Sequence, residues 1–329
     1  MAGYTIVGRS EFAVILASLA ISVPFVVGSS PSVADDATRV KELRQRIEEL
    51  DADTFATRER ATRALQKAGV AAEDLLLEAL KSPSPEVRRR AEFILRDGHW
   101  RRLHGEISEF AALPDEKIDV EHGMWLIARI LDPSVKERDL QRQLNQLADK
   151  VRERLPLDVA PRKLEPRFVM EAIRDVLFQE LKFHGATTNY QDPQNSSLAR
   201  VLRRKEGLPI LLSHVVIGVG NRLGLPLEGV ATPGRYLVRY DAERAPEGAE
   251  TEDIIMDAFD GGKLLSESDL VAMFPGIATV DLQEIPRSRQ ILVRMLNNLE
   301  THLYHVGDSP RAEMALAFRS LLSEYGDDF

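Results

Sequence analysis

A long apolar segment limits the possible folds of this chain. The residues ILLSHVVIGV, from Ile210 to Val219, are apolar nearly all round, with Ser213 and His214 as polar members. A helix without a polar face is buried on every side, because a surface helix needs one side for water. Gly207 permits a tight turn before this segment, and proline suits the first position of a helix. We therefore expect a central helix that starts at Pro209.

Short strands are predicted directly after the central helix. The first begins at Leu225, the second is RYLVRY after the Pro233-Gly234 turn, and the third, DIIMD, ends at Asp257. Alternating apolar residues bounded by glycine and proline are typical of such strands. One buried helix packed on an antiparallel sheet forms an α+β core. The expected fold class is thus α+β, with further helices around the core.

The composition indicates the class of protein. The chain has 329 residues, of which 44% are hydrophobic and 29% are charged, as is typical of a globular protein. Its formal net charge is −9, and a polyanionic partner normally requires a basic surface, so we expect no nucleic-acid binding. The chain has no cysteine, which excludes disulfides, thiolate metal ligands and a cysteine nucleophile.

The N-terminus has the order of a secretory signal. Arg9 precedes an apolar run at residues 12–28, and Ser32 and Ala34 follow as the two small residues of a cleavage site. We expect a signal peptide over residues 1–34. The alternative is an uncleaved membrane anchor, because the apolar run is only slightly short for a span. In both cases the body of the protein is predicted to be extracytoplasmic, either periplasmic or secreted.

Two segments near the N-terminus repeat each other. TRERATRAL and VRRRAEFIL align at an offset of thirty residues, with Arg58 on Arg88 and Ala61 on Ala91. A small residue at a helix crossing lets paired helices approach closely. The pattern predicts a short HEAT-like helical repeat over residues 35–105, whose units bury their apolar faces by stacking on a neighbour.

The second copy of the repeat opens an arginine-rich helix. Ser84 is predicted to cap this helix and Pro85 to occupy its first position. The arginines of the segment are Arg88, Arg89, Arg90, Arg96, Arg101 and Arg102. A solvated helix face is the simpler interpretation, because charge runs on helices mostly face solvent. A docking surface for an acidic partner is the alternative.

An ordered series of short motifs lies in the second half of the chain. They are FHG (Phe183 to Gly185), Tyr190, DPQNS (Asp192 to Ser196), VL (Val201-Leu202), GLPILLS (Gly207 to Ser213), RLGLPLEGV, PGRYLVR (Pro233 to Arg239) and DAF (Asp257 to Phe259). This series resembles the transglutaminase-like superfamily, and within it the SirB-type branch, a module also found in an F-box protein of eukaryotic ubiquitin ligases. The resemblance implies a domain over residues 119–285 and closing C-terminal helices over residues 286–329.

The resemblance also implies which residues stand at the catalytic positions. In catalytic members a Cys at the start of the central helix attacks an amide, with a His and an Asp on the next two strands. Here Pro209 stands at the Cys position, Arg235 at the His position and Asp257 at the Asp position. Proline has no nucleophile and arginine keeps its proton, so the triad is lost. This pattern favours a protein without catalysis.

Four residues of the former active-site region are brought together by the same resemblance. They are Asn195, Ser196, Arg235 and Asp257. Arg235 and Asp257 are expected to pair, either as a structural ion pair or as a clamp for an anionic group.

Other chemistry has weaker support in the sequence. Ser213 is a possible relocated nucleophile, but it lies one turn into the helix without an evident base. Its hydroxyl is instead expected to bond helix backbone. His302 and His305 lie three apart, but a third ligand is missing, so we expect no metal and no cofactor.

Three functions remain open at this point. The first is a non-catalytic binding or scaffold protein with a protein or peptide partner. The second is an amide hydrolase or peptidase-like enzyme with a relocated nucleophile. The third is a peptide or anionic-ligand binder that uses the former cleft with Arg235 as its anchor. A fold alone does not define function, so the missing triad residues favour the first.

Overall fold

The computed structural model describes residues 33–247, 253–275 and 285–325. The chain divides into two compact units, Met1–Arg90 and Ala91–Phe329. Residues 1–32, which carry nearly all of the expected signal peptide or anchor, lie outside the described residues. Within the described ranges no helix has both the length and the apolar character needed to cross a membrane.

The first unit is built from helices. They are α1 (Val33–Glu48), α2 (Phe55–Ala68), α3 (Glu73–Ala79) and the beginning of α4 (Pro85–Ala111), within which the division into units falls. Buried Leu50, Leu65 and Leu76 lie in this unit. Burying these leucines stabilises short helices that would be marginal alone.

Equivalent side chains cap two helices of the first unit. Thr54 Oγ1 accepts a hydrogen bond from the backbone N–H of Thr57 at 3.3 Å, at the start of α2. Ser84 Oγ accepts one from Val87 at 3.3 Å, at the start of α4. The predicted cap by Ser84 and the helix start at Pro85 are confirmed. Each cap satisfies a backbone donor that the helix itself leaves free.

Equivalent arginines close the turns before the same two helices. Each guanidinium donates from Nη1 to two backbone carbonyls that precede its own helix. The bonds run from Arg58 to Ala52 and Asp53 at 2.7 and 3.0 Å, and from Arg88 to Ser82 and Pro83 at 2.6 and 2.8 Å. The offset between the two sets is thirty residues throughout, so the sequence repeat is also a repeat of hydrogen bonds.

Several arginines of the α4 segment are compensated locally. Arg90 donates to Glu86 at 2.6 Å and to Glu59 at 2.8 Å, and Arg101 pairs with Asp97 at 2.9 Å. Local pairing of this kind reduces the net positive field of a helix face. It favours a solvated face over a docking surface for an acidic partner.

Eight further helices begin in the described part of the second unit. They are α5 (Val120–Leu131), α6 (Glu137–Arg152), α7 (Pro166–Arg174), α8 (Leu198–Arg204), α9 (Pro209–Leu223), α10 (Glu267–Met273), α11 (Ser288–His305) and α12 (Ser309–Glu324). The apolar segment thus forms α9, which begins at Pro209 as predicted. Gly224 follows as the C-cap, and its φ of 72° is the left-handed conformation that glycine adopts without strain.

Two sheets complete the second unit. The strands are β1 (His184–Gly185), β2 (Glu206–Gly207), β3 (Leu227–Thr232), β4 (Arg235–Tyr240), β5 (Ile254–Asp257) and β6 (Lys263–Leu265). The first two pair in parallel, and the other four form an antiparallel sheet in the order β3-β4-β5-β6. The predicted α+β class is confirmed.

The four-stranded sheet lies between two helices. On one face it contacts α9, which is buried over nearly its whole length. On the other face Val230, Leu237 and Ile255 pack against Leu270 of α10 and the adjacent Phe274. The sheet and the neighbouring helices α6 and α8 thus enclose α9.

Candidate functional site

The start of α9 is held against the turn that carries Asn195. The backbone N–H of Leu208 donates to the carbonyl of Asn195 at 3.4 Å. Pro209 follows as the first residue of the helix and is buried. Pro209, which the resemblance assigns to the position of the nucleophile, is thus an enclosed residue without a reactive group.

A close contact brings the end of β5 to the same region. Gly207 pairs with Gly185 in the parallel ladder immediately before α9. A Cβ on Gly185 would lie 2.7 Å from both the ring and the carbonyl oxygen of Phe259, so only glycine fits there. Phe259 follows Asp257 by two residues and donates its backbone N–H to that carboxylate at 2.9 Å.

Arg235 and Asp257 form the expected ion pair. Arg235 Nη1 lies 3.1 Å from Asp257 Oδ2, and the guanidinium lies over the Phe259 ring at 5.4 Å. The Asp257 side chain is only 1% exposed, whereas that of Arg235 is 37% exposed. Burial raises the pKa of the Asp257 carboxyl, and the nearby guanidinium partly opposes this rise. The prediction that these two residues pair is confirmed.

Arg294 on α11 fixes the backbone around Arg235. Its Nη2 donates to the carbonyls of Arg235 at 2.6 Å and Thr232 at 3.1 Å, and its guanidinium lies over the Tyr236 ring at 5.5 Å. Burial lowers the pKa of this arginine. Arg294 was not predicted from the sequence as a residue of this site. The feature of the sequence that could have identified this residue is a single cation among the apolar residues of ILVRML.

Ser213 is enclosed and already bonded. Its hydroxyl donates to the backbone carbonyl of Tyr236 at 2.7 Å, and its side chain is fully buried. The expected bond to helix backbone is wrong, because the carbonyl belongs to a strand that packs on the helix. Within the described residues no hydrogen bond joins this serine to a histidine, so a base for a seryl nucleophile is not in place there.

Asn195 and Ser196 support the turn beside α9. Both side chains are buried, and Asn195 Nδ2 donates to the carbonyl of Asn189 at 2.7 Å. The Tyr190 ring in the same turn packs edge-on against Phe259 at 6.2 Å and against His302 at 6.0 Å. These contacts place the turn against α11 and the Arg235–Asp257 pair.

The two histidines of α11 do not share an environment. His302 is buried, and burial lowers its pKa, with a smaller contribution from His305. His305 itself is exposed. In the described parts of the chain no group of three histidine, aspartate or glutamate side chains is placed to hold a metal ion.

The site therefore contains a buried proline at a helix start, a guanidinium–carboxylate pair and two buried turn residues. Residues 138–297 match the family model described as the transglutaminase-like superfamily, which gives the class of domain that this fold carries. The chain belongs to the UPF0162 protein family. It is 32% identical over 207 residues to a UPF0162 protein of Xylella fastidiosa, a match that covers 59% of this chain and 68% of that relative.

Two further similarities cover less sequence. A UPF0162 protein of Vibrio cholerae is 30% identical over 108 residues, which is 32% of this chain and 37% of that protein. F-box only protein 21 of Mus musculus is 34% identical over 134 residues, which is 40% of this chain and 21% of that protein. No solved structure matches the chain.

Proposed function

We propose that this protein is a non-catalytic binding or scaffold protein built on a degenerate transglutaminase-like domain. The Arg235–Asp257 ion pair is the observation that carries the proposal. The resemblance puts the general base at position 235, and a permanently protonated guanidinium cannot act as one. Pro209 at the nucleophile position supports the same conclusion, since it offers no reactive atom. Loss of both groups removes most of the acceleration, because members of a triad act as a unit.

A relocated nucleophile has little support. Ser213 is the candidate nucleophile that the sequence suggests, and its hydroxyl donates to a backbone carbonyl inside the core. A nucleophile must reach substrate and a base, and a fully buried hydroxyl reaches neither.

The proposed partner is a protein, engaged by the helical first unit. The duplicated caps and arginine–carbonyl bonds support a HEAT-like repeat, and repeats of this type present extended binding surfaces. Phe55, Val70 and Leu77 of this unit are exposed apolar side chains, which supports a role in contacts with protein. The motif series further supports assignment to the SirB-type branch.

The proposed location is extracytoplasmic. Its support is the order of charged, apolar and small residues over positions 1–34. N-terminal sequencing of protein from fractionated cells tests this, with an expected start at Asp35. A cytosolic protein that retains Met1 would refute the proposal, and a membrane-bound protein that retains Met1 would support the uncleaved anchor.

A covalent probe tests the absence of catalysis. The full chain is incubated with a broad fluorophosphonate probe and with simple amide and ester substrates. We expect no labelling and no turnover above a heat-denatured sample, because the hydroxyl of Ser213 is buried and already bonded to a backbone carbonyl. Labelling that disappears in Ser213→Ala would establish the relocated nucleophile and overturn the proposal.

Crosslinking in the extracytoplasmic fraction tests the partner surface. Val70→Asp places a charge on a side chain that is 68% exposed, in the first unit. Leu157→Asp is the matched control, because Leu157 is 81% exposed but lies in the second unit. We expect crosslinked partners to be lost with Val70→Asp and retained with Leu157→Asp. Identical products from both variants would contradict a surface on the first unit.

A further inference from the structure

A cavity of 330 Å³ opens beside the middle of α9, between the start of α5 and β3. Met124, Ile217, Leu227 and Ile291 supply apolar walls, and His214 lines the same space. Neither Arg235 nor Asp257 is among the described residues that line it. The cavity is therefore separate from the former active-site region. Its volume lies at the small end of the range for ligand sites, roughly 300–1,000 Å³.

The imidazole of His214 is buried in the cavity wall without a hydrogen-bond partner. The residue is 6% exposed, and its Nε2 has no partner within the described part of the chain. Burial lowers the pKa of His214 to about 4, so at neutral pH the uncharged ring offers one donor and one acceptor. Buried polar groups are nearly always bonded, so a partner from outside the chain is expected here.

A second unpaired polar group lies next to this imidazole. The Tyr236 ring packs against His214 with 5.5 Å between ring centroids, and its buried hydroxyl has no hydrogen-bond partner among the described residues. A Cβ on Gly229, which also lines the cavity, would collide with this hydroxyl. The absence of a side chain at Gly229 thus leaves room for this hydroxyl, and Tyr236 itself is not among the described residues that line the cavity.

The rim of the cavity is acidic. Glu121 is compensated by Arg222 at 2.7 Å, and Glu228 is compensated by Arg239 at 2.8 Å. Asp119 accepts the backbone N–H of His122 at the start of α5, and no ion pair of Asp119 is found in the described chain. An uncompensated carboxylate at the mouth disfavours anions and attracts a cation.

We propose that this cavity binds a small primary amine whose apolar body ends in a hydrogen-bonding group. The terminal polar group bonds the unpaired imidazole of His214 at the buried end. The apolar body lies on Ile217 and Ile291, and the ammonium lies beside Asp119 at the mouth. This site is independent of the proposed protein-binding function.

Calorimetry on the full chain with three small probes tests the proposal. Tyramine carries the amine, an apolar ring and a hydroxyl; phenethylamine lacks the hydroxyl; 4-hydroxyphenylacetate replaces the amine with a carboxylate. We expect saturable tyramine binding, roughly tenfold weaker phenethylamine binding because one hydrogen bond is lost, and no binding of the anion. Equal binding of all three probes, or binding of none, would overturn the proposal.

Two variants locate the binding site. In His214→Leu we expect tyramine affinity to fall roughly tenfold, to the level of phenethylamine, which itself is unaffected. Asp119→Asn keeps a good helix cap and is expected to weaken both amines by about two- to fivefold, as for an exposed charge pair. Asp308→Asn is the control, because Asp308 caps α12 in the same way outside the cavity.

The same variants also give the results that would refute the proposed site. If His214→Leu leaves tyramine affinity unchanged, the imidazole is satisfied by ordered water only, and the proposal is wrong. If that variant does not fold, Ile217→Phe, which fills the cavity with an apolar ring, replaces it and is expected to abolish binding of both amines. Equal effects of Asp119→Asn and Asp308→Asn would also refute the site.

Discussion

At the scale of single residues, the Arg235–Asp257 pair links a buried carboxylate to a half-exposed guanidinium. Asp257 also accepts backbone N–H groups from Phe259 and Asp260, at 2.9 and 3.2 Å. These bonds direct one carboxylate oxygen into the β5–β6 connection and leave the other for Arg235. The pair thus ties β4 to β5 in addition to their backbone ladder.

Removal of Arg235 is expected to destabilise the fold. Arg235→Met leaves Asp257 buried without its cation, and we expect the free energy of unfolding to fall by about 1–3 kcal/mol, less than for a fully buried pair. Urea denaturation of the single variants and of the double variant with Asp257→Asn gives the coupling energy. Unchanged stability together with loss of binding to an anionic peptide would instead support the anion-clamp alternative.

His214 is expected to make stability depend on pH. Its folded pKa is about 4, below the unfolded value near 6.5, so the unfolded chain binds a proton first as pH falls. The stabilisation is complete above pH 6.5 and is lost as the pH falls towards 4, with about 2 kcal/mol lost between pH 7 and pH 5. Urea denaturation at both values compares the wild type with His214→Leu. An equal decrease in the variant would show that other groups are responsible.

At the scale of elements, the pattern of α9 was the most predictable, because an apolar helix is recognisable without knowing its neighbours. The first strand predicted after the central helix is β3, which begins at Leu227 rather than at Leu225. The backbone N–H of Leu225 instead donates to the carbonyl of Gly220 at the end of α9. The short strand β6 was missed, because its three residues contain no alternation.

The candidate site was predictable only in part. The sequence placed Arg235 beside Asp257 through a family resemblance, not through spacing, since the two are 22 residues apart. Arg294 and the cavity at His214 depend on contacts between distant segments. Such contacts leave no periodic signal in the chain.

A substitution at Gly185 in β1 tests the contact between this residue and Phe259, which links the two sheets. Gly185→Ala places a Cβ 2.7 Å from the Phe259 carbonyl, and we expect a loss of about 1–3 kcal/mol in the free energy of unfolding, as for overpacking. Gly105→Ala is the control, because nothing lies within 4 Å of its Cβ and α4 is a helix, where alanine is favoured. Thermal melts of both variants measure the difference. Equal destabilisation would contradict the contact.

At the scale of the whole molecule, the second unit contains a core of its own. Buried apolar residues extend from Leu103 to Leu322 without any contribution from the first unit. A fragment of residues 84–329 keeps Ser84 as the cap of α4 and is therefore expected to unfold cooperatively. Urea denaturation followed by circular dichroism measures this. A broad transition without a native-state baseline would show that the second unit needs the first unit in order to fold.

The arginine–carbonyl bonds of the first unit have a consequence for its evolution. Arg58 and Arg88 each close a turn by donating to backbone carbonyls five and six residues earlier, so both the donor and the acceptors belong to the same copy of the repeat. A duplication of thirty residues would therefore carry with it a complete set of these arginine–carbonyl bonds.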